Sequence, residues 1–245
     1  MKTRVIHWFK FSSPQNFYEL SGKMWPWFAA LATILLLAGL WISFVVAPVD
    51  AQQGQGYRII FVHVPASQMS MFIYLVMAGW AGFGLAFNTR LSGMMASALA
   101  PTGALFAFLS LVTGALWGKP MWGAWWVWDA RLTSELILLF LYLGFMALHA
   151  SIDDPRRADK ASAVLALVGA VNVPIIYFSV KWWNTLHQGA SVSMKGSSMA
   201  STMLTGMLIM VLAFWMYAIA IALVRVRNII LDRERHTEWV KHAVA

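Results

Sequence analysis

The chain has 245 residues, 60% hydrophobic and 11% charged, where a soluble domain carries about 25% charged, so its apolar runs read as those of an integral membrane protein. It contains no cysteine, which excludes disulfides, iron–sulfur clusters, thiolate ligation of haem and a cysteine nucleophile. The net charge of +8 reports orientation in such a chain before it reports any affinity for nucleic acid.

The N-terminal stretch MKTRVIHWFKF lacks the short apolar core and small-residue cleavage site of a removed signal, so the first apolar run, about residues 24–46, is read as a retained span. An apolar lead-in, RIIFVHVP, precedes a second span at about 66–87. Pro65 disfavours helical geometry at Val64, so His63 is expected in an extended or broken segment near the membrane surface. A third span covers about 94–116 and is followed by KPMWGAWWVWDARLTSEL, in which Trp122, Trp125, Trp126 and Trp128 fall within seven positions. The fourth span is expected at about 132–149 and the fifth at about 161–180, kinked at Pro174. KWWNTLHQG comes next, and a sixth span at about 201–224. Each run is close to the ~20 residues that cross a bilayer, and the apolar–polar alternation of a membrane β-barrel is absent. The expected fold is therefore all-α: one six-helix polytopic membrane domain over residues 1–245.

The positive charges orient it. Thirteen lysines and arginines lie on the side of both termini: Lys2, Arg4, Lys10 and Lys23, Arg90, then Arg156, Arg157 and Lys160, and finally Arg225, Arg227, Arg233, Arg235 and Lys241. Five lie on the other: Arg58, Lys119, Arg131, Lys181 and Lys195. That bias makes the terminal side cytoplasmic and puts the tryptophan loop, about residues 117–131, on the outer face, the periplasm of a bacterial cell.

Four of the six histidines, His7, His149, His236 and His242, fall on the cytoplasmic side and read as solvated interfacial residues. His63 and His187 fall on the outer side, each in an aromatic, apolar segment. Taken singly, each is an ordinary interfacial histidine. Together, beside the tryptophan loop, they suit haem, which needs axial nitrogen ligands, a broad apolar surface for its macrocycle and cations for its propionates. Arg58, Lys119, Arg131 and Lys181 are the candidate cations. Zinc suits them less, because two histidines fall short of a structural donor set. Scattered indoles such as Trp8, Trp25, Trp27 and Trp239 read as interfacial anchors, and Trp41 as ordinary membrane packing; the cluster from Trp122 to Trp128 is too dense for anchoring alone. Asp129 is explained equally by capping the fourth span and by a place at the haem, and Arg131 and Glu135 are spaced to pair along one helical face.

WGAWWVWDARLT resembles the signature of the tryptophan-rich WWD-domain family of haem-handling proteins in cytochrome c maturation. YRIIFVHVPA, LVTGALWGKPMWGAWWVWDARLTSELILLFLYLG and VNVPIIYFSVKWWNTLHQG extend the resemblance along most of the chain, and the length suits the six-span, haem exporter branch. The resemblance implies haem b bound at the outer face, with His63 and His187 as axial ligands and the tryptophan motif, Trp122, Trp125, Trp126 and Trp128, against it; beside it, the residues themselves suggest Arg131 and Arg58 as partners of the propionates and leave Asp129 as a candidate. It implies a bacterial inner-membrane complex with an ATP-binding-cassette subunit (CcmA-like), a second membrane subunit (CcmB-like) and a small single-span subunit (CcmD-like). It further implies haem delivery to a periplasmic haem chaperone (CcmE-like). The chain has no G-x-x-x-x-G-K followed by Ser or Thr, so energy coupling is expected from a partner. No nucleophile–base pair is evident, and the chain is not expected to be an enzyme. Two rivals stand beside this reading. An organic-ion transporter rests on the intramembrane Asn172 and Pro174. A bis-histidine electron-transfer cytochrome is disfavoured as long as both histidines lie in outer loops.

Overall fold

The structure is a computed structural model that describes residues 8–183, 185–187, 192–193 and 196–244. Lys2, Arg4, His7 and Lys195 lie outside the described residues. The chain is almost entirely helical, and six helical segments are long and apolar enough to cross a membrane: Pro14–Val46, Gln55–Phe87, Arg90–Trp122, Ala130–Ala150, Pro155–Trp182 and Ser201–Arg233.

Helix α1 (Pro14–Trp41) starts on Ser13, whose hydroxyl accepts from the Asn16 amide at 3.3 Å, with Pro14 in the first turn where its missing N–H is not needed. It ends in a wider turn, Ile42–Val46. A 3-10 turn, Gln55–Ile59, leads into α2 (Ile60–Phe87). Asn88 then reverses the chain with φ 52°, a left-handed geometry that asparagine tolerates, and α3 (Arg90–Trp122) returns. Gly123 stops α3 at φ 77°, its amide donating to the Lys119 carbonyl at 3.0 Å. Helix α4 (Ala130–Ala150) begins on Asp129, and α5 (Pro155–Gly169) begins on Asp154 with Pro155 in its first turn. After α6 (Asn172–Trp182) come a short hairpin, β1 (Val192–Ser193) and β2 (Gly196–Ser197), the long α7 (Ser201–Arg233) and α8 (Glu238–Val244).

Two ends of the bundle follow from these contacts. At the terminal end Arg90 pairs with Glu234 at 2.7 Å, Arg233 and His149 both meet Asp159, and the Arg227 guanidinium lies 3.8 Å from the centre of the Tyr18 ring. The start of α1, the α2–α3 and α4–α5 turns and the close of α7 therefore gather there. The opposite, motif end carries the start of α2, the 123–129 segment and the chain beyond α6.

Helices α2, α3 and α4 share a buried core that includes Met69, Ile73, Tyr74 and Met77 of α2, Ala100, Phe106 and Ala107 of α3, and Leu138 and Tyr142 of α4. Small residues let them approach: a side chain at Gly103 would fall 2.1 Å from the Tyr142 ring, and one at Gly169 would fall 2.1 Å from the Tyr74 hydroxyl. Helix α1 packs on α7, with Gly39 against Met210, and shows Trp27, Leu37 and Trp41 outward, as expected of a lipid-facing helix.

The expected spans are recovered with two changes. His63 does not precede the second span in an extended segment; it lies within α2 and is buried. Pro65 is the sixth residue of that helix, where its cost is confined to the carbonyl of Phe61. Burial of Tyr57, Ile60 and Phe61 against Ala47, Met203, Met207 and Met210 outweighs it. The fifth span is broken, as Pro174 suggests, but the break falls at Ala170 and Val171, between α5 and α6. Pro174 cannot donate to Ala170, and Val173 donates there instead at 3.2 Å. The Asn172 amide donates to the Ser134 carbonyl at 2.9 Å, tying the break to α4.

Candidate functional site: a histidine cleft at the motif end

One stripe of each of three helices lines a cleft at the motif end. Helix α2 supplies His63 and Ser67, α3 supplies Ser110, Gly114, Trp117 and Trp122, and α4 supplies Arg131 and Glu135. Spacings of three and four residues place His63 with Ser67, Ser110 with Gly114 and Trp117, and Arg131 with Glu135 on one helical face each, and Trp122 joins them from the last residue of α3. Gln53 and His187 close the outer rim.

The two histidines meet. Their ring centres are 6.0 Å apart with planes at 26°. An iron held between two imidazoles, at about 2 Å per bond and about 1 Å more to each ring centre, separates the centres by about 6 Å. His63 is held firmly: its Nδ1 lies 3.1 Å from the Ser110 carbonyl and 3.0 Å from the Thr113 hydroxyl. A carbonyl only accepts, and the Thr113 hydroxyl already donates to the Leu109 carbonyl at 2.6 Å. Nδ1 of His63 therefore carries the proton, and Nε2 keeps a lone pair for a metal, the support that ligating histidines use. Trp117 stands edge-on to His63 at 5.6 Å, fixed by donating its indole N–H to Gln53 at 2.8 Å. His187 lies in the segment after α6, 6.1 Å from the Trp122 ring, and its amide donates to the Thr185 hydroxyl at 3.2 Å.

The rest of the sequence-predicted set divides. Arg131 is in the cleft, its guanidinium donating to the Ile176 carbonyl at 2.7 Å and to the Ser67 hydroxyl at 3.3 Å. A guanidinium has five N–H donors, so capacity remains for a ligand carboxylate. Trp122 lines the cleft. Trp125 and Trp128 stand outside it, 55% and 77% exposed, as an outward-facing aromatic surface. Trp126 packs edge-on to Trp128 at 5.4 Å, with its indole N–H buried and unpartnered. Asp129 caps α4 through Oδ1, which accepts from the Leu132 amide at 2.8 Å, while Oδ2 is buried without a partner. Arg58 points elsewhere: it donates to the Ser43 carbonyl, to the Ala47 carbonyl at 2.8 Å and to Gln55 at 2.5 Å, clamping the end of the first span. Lys119 is engaged by the Gly123 carbonyl at 3.0 Å, and Lys181 lies 5.7 Å from the Phe178 ring centre.

Sequence reasoning passed over Trp117, Ser110, Thr113, Gly114 and the site role of Glu135. Their signal is present: residues 110, 113, 114 and 117 repeat at helical spacing just ahead of the tryptophan motif. The cleft holds about 90 Å³, well below the ~300–1,000 Å³ of pockets that swallow a drug-sized ligand. Among the described residues, no group of three or more His, Asp or Glu converges on a bare metal ion.

The sequence matches the family model described as heme exporter protein C over residues 7–241. It is 46% identical over 231 residues to Heme exporter protein C of Escherichia coli K12, covering 94% of each chain. It is 50% identical over 223 residues to the protein of that name in Bradyrhizobium diazoefficiens, covering 91% of this chain and 84% of the other. A mitochondrial protein of Marchantia polymorpha, whose name calls it ccmC-like and ties it to cytochrome c biosynthesis, is 45% identical over 198 residues, covering 81% of this chain and 84% of its own. With the family model spanning nearly the whole chain, this six-span protein with its paired histidines belongs to the heme exporter protein C (CcmC) family.

Proposed function

We propose that this protein, a multi-pass protein of the bacterial inner membrane, handles haem for cytochrome c biogenesis by holding haem b at the periplasmic face between His63 and His187. The observation that carries the reading is the meeting of the two outer histidines in one cleft, their ring centres 6.0 Å apart, one with its tautomer fixed by the Ser110 carbonyl. Trp122 and Trp117, which line the cleft, would shield the bound ring from water. Arg131 pairs with a propionate, and Trp125 and Trp128 meet the part of the ring that the cleft leaves outside. His63 and His187 would together hold the cargo in one orientation, and handing it on would require at least one of them to let go. His63 is buried and bonded to α3, whereas His187 lies on a non-helical segment, which makes His187 the ligand expected to be displaced.

The thirteen-to-five distribution of lysine and arginine supports periplasmic exposure of the cleft. A ring held at the rim is accessible to a periplasmic haem chaperone. The absence of a nucleotide-binding loop from the sequence fits a complex in which an ATP-binding-cassette subunit, a second membrane subunit and a small single-span subunit supply the coupling. Visible spectra of the purified protein and of His63→Ala and His187→Ala test the ligand set. Each variant is expected to lose the paired-histidine spectrum and most of its haem; wild-type haem content and spectrum in both would overturn it.

Placement of His63 on a helix removes part of the objection to an electron-transfer cytochrome, whose ligands sit on paired helices. His187, on a non-helical segment beyond α6, keeps the handler ahead. A redox titration separates the two: a carrier cycles reversibly with haem retained, whereas a handler yields its haem to added chaperone.

A further inference from the structure

Beneath the histidines, the cleft contains a charged group with no part in holding the ring. Glu135 is 4% exposed, inside a membrane-spanning helix, and lines the cleft one helical turn from Arg131. Its Oε1 accepts from the Ser70 hydroxyl at 2.7 Å. Its Oε2 is buried and has no hydrogen-bond partner. Arg131 directs its guanidinium to Ile176 and Ser67 instead, yet the charges of Arg131 and Glu135 act on one another. A carboxylate in such surroundings stays ionised only while a nearby cation compensates it.

We infer that Glu135 is the proton-accepting group of the haem cleft: when a ligand carboxylate pairs with Arg131, Glu135 takes up a proton, and it gives that proton back when the ligand leaves. This rests on the reading that the cleft binds haem with a propionate on Arg131. Two carboxylates sharing one guanidinium in a water-poor space cannot both keep a full charge. The newcomer takes the cation, and the buried acid, supported only by the serine hydroxyls of Ser70 and Ser110, is the one to be neutralised. Ser70 is suited to either state, because its hydroxyl donates to the Ser67 carbonyl at 2.8 Å as well as to Glu135.

The surrounding groups leave Glu135 as the acceptor. From α2, His63, Ser67, Ser70 and Tyr74 face this region. His63 has its Nδ1 proton bound to α3, and its other nitrogen is reserved for iron. From α3 comes Ser110, and from α6 the Ile176 carbonyl, already bound by Arg131. On α4 itself, Tyr142 donates to the Ser70 carbonyl at 2.7 Å. Asp129 also acts on Arg131, but its Oδ1 is already engaged as the cap of α4 by the Leu132 amide. The consequence is linkage: anionic cargo binds with proton uptake, and release to an acceptor is favoured as pH rises.

The test is haemin binding to the purified full chain in weakly buffered detergent solution, read by a pH-indicator dye and by the haem spectrum together. Wild type is expected to take up about one proton per haem bound. Glu135→Gln, whose amide still accepts from Ser70 but cannot be protonated in this way, is expected to bind haem with a paired-histidine spectrum and no proton uptake. Haem dimethyl ester, which has no carboxylate, is expected to bind wild type without uptake, so this arm needs no variant should Glu135→Gln fail to fold. Equal uptake in wild type and Glu135→Gln, or equal uptake with haemin and its ester, would overturn the proposal. Failure of wild type to give a paired-histidine spectrum would instead overturn the underlying haem-site reading.

Discussion

His63 illustrates how closely a single residue is specified here. Its imidazole touches α3 on one side through Ser110 and Thr113, and Gly114 gives it room. A β-carbon at position 114 would stand 3.1 Å from Cε1 of His63, so the ring must give by a few tenths of an ångström and its two hydrogen bonds must stretch. Gly114→Ala also favours helix at an interior position of α3, which offsets the crowding in overall stability. We therefore expect an unchanged melting temperature to within a few degrees but weaker haem binding. A ring displacement costing about 1 kcal/mol corresponds to about fivefold in affinity, measurable by haemin titration of the variant. Asp129 is settled in part at the same scale: one carboxylate oxygen caps α4, which sequence reasoning left as one of two equal choices, and the other is buried and free.

Helices carry the next lesson. Hydropathy located all six crossings, because each apolar run must be long enough for the bilayer, and the histidines and tryptophans were legible by residue type. Helix ends were less legible. Composition marks where lipid contact stops, whereas the helices continue to their caps, to Ser13 before α1, Gly123 after α3 and Arg233 in α7. Long-range pairing was not legible at all. Arg131 and Glu135, spaced to pair with each other, are bonded to α2 and α6 instead. Arg58 looked like a cation for a propionate but binds carbonyls eleven and fifteen residues back in the chain, where no periodicity points. It is a clamp between the end of the first span and the turn that starts α2, so its loss acts on the element and not on the ligand. Arg58→Ala is expected to destabilise the protein by about 1.5–3 kcal/mol, roughly what one hydrogen bond from a charged donor contributes, because at this partly exposed site water replaces much of the rest. Haem bound per folded molecule should not change. Thermal melts in detergent, paired with haem-to-protein ratios of the folded fraction, measure both.

At the level of the whole molecule, the two ends of the bundle divide the work, and the direction in which they face decides what the cleft can meet. The terminal end is tied together by ion pairs, with Arg233 bidentate on Asp159 at 2.6 and 2.8 Å and Arg90 on Glu234. The motif end is built from indoles and the histidine cleft. Acidic residues at the terminal end do not weaken the topological signal, because orientation follows the lysine and arginine count and not the net charge. Helix α7, with 33 residues, is about 50 Å long at 1.5 Å per residue. In the complex proposed above, a nucleotide-driven subunit on the cytoplasmic side would act on the cleft only through the helices or through a neighbouring membrane subunit. The native chain has no cysteine, so a single introduced thiol reports its side of the membrane without background. Ala51 is exposed at the motif end and Ser151 at the terminal end. In intact spheroplasts a membrane-impermeant maleimide is expected to label Ala51→Cys, and to label Ser151→Cys only after the membrane is permeabilised. The reverse pattern would place the histidine cleft in the cytoplasm and remove the periplasmic hand-over from the proposed function, while leaving the haem ligation itself intact.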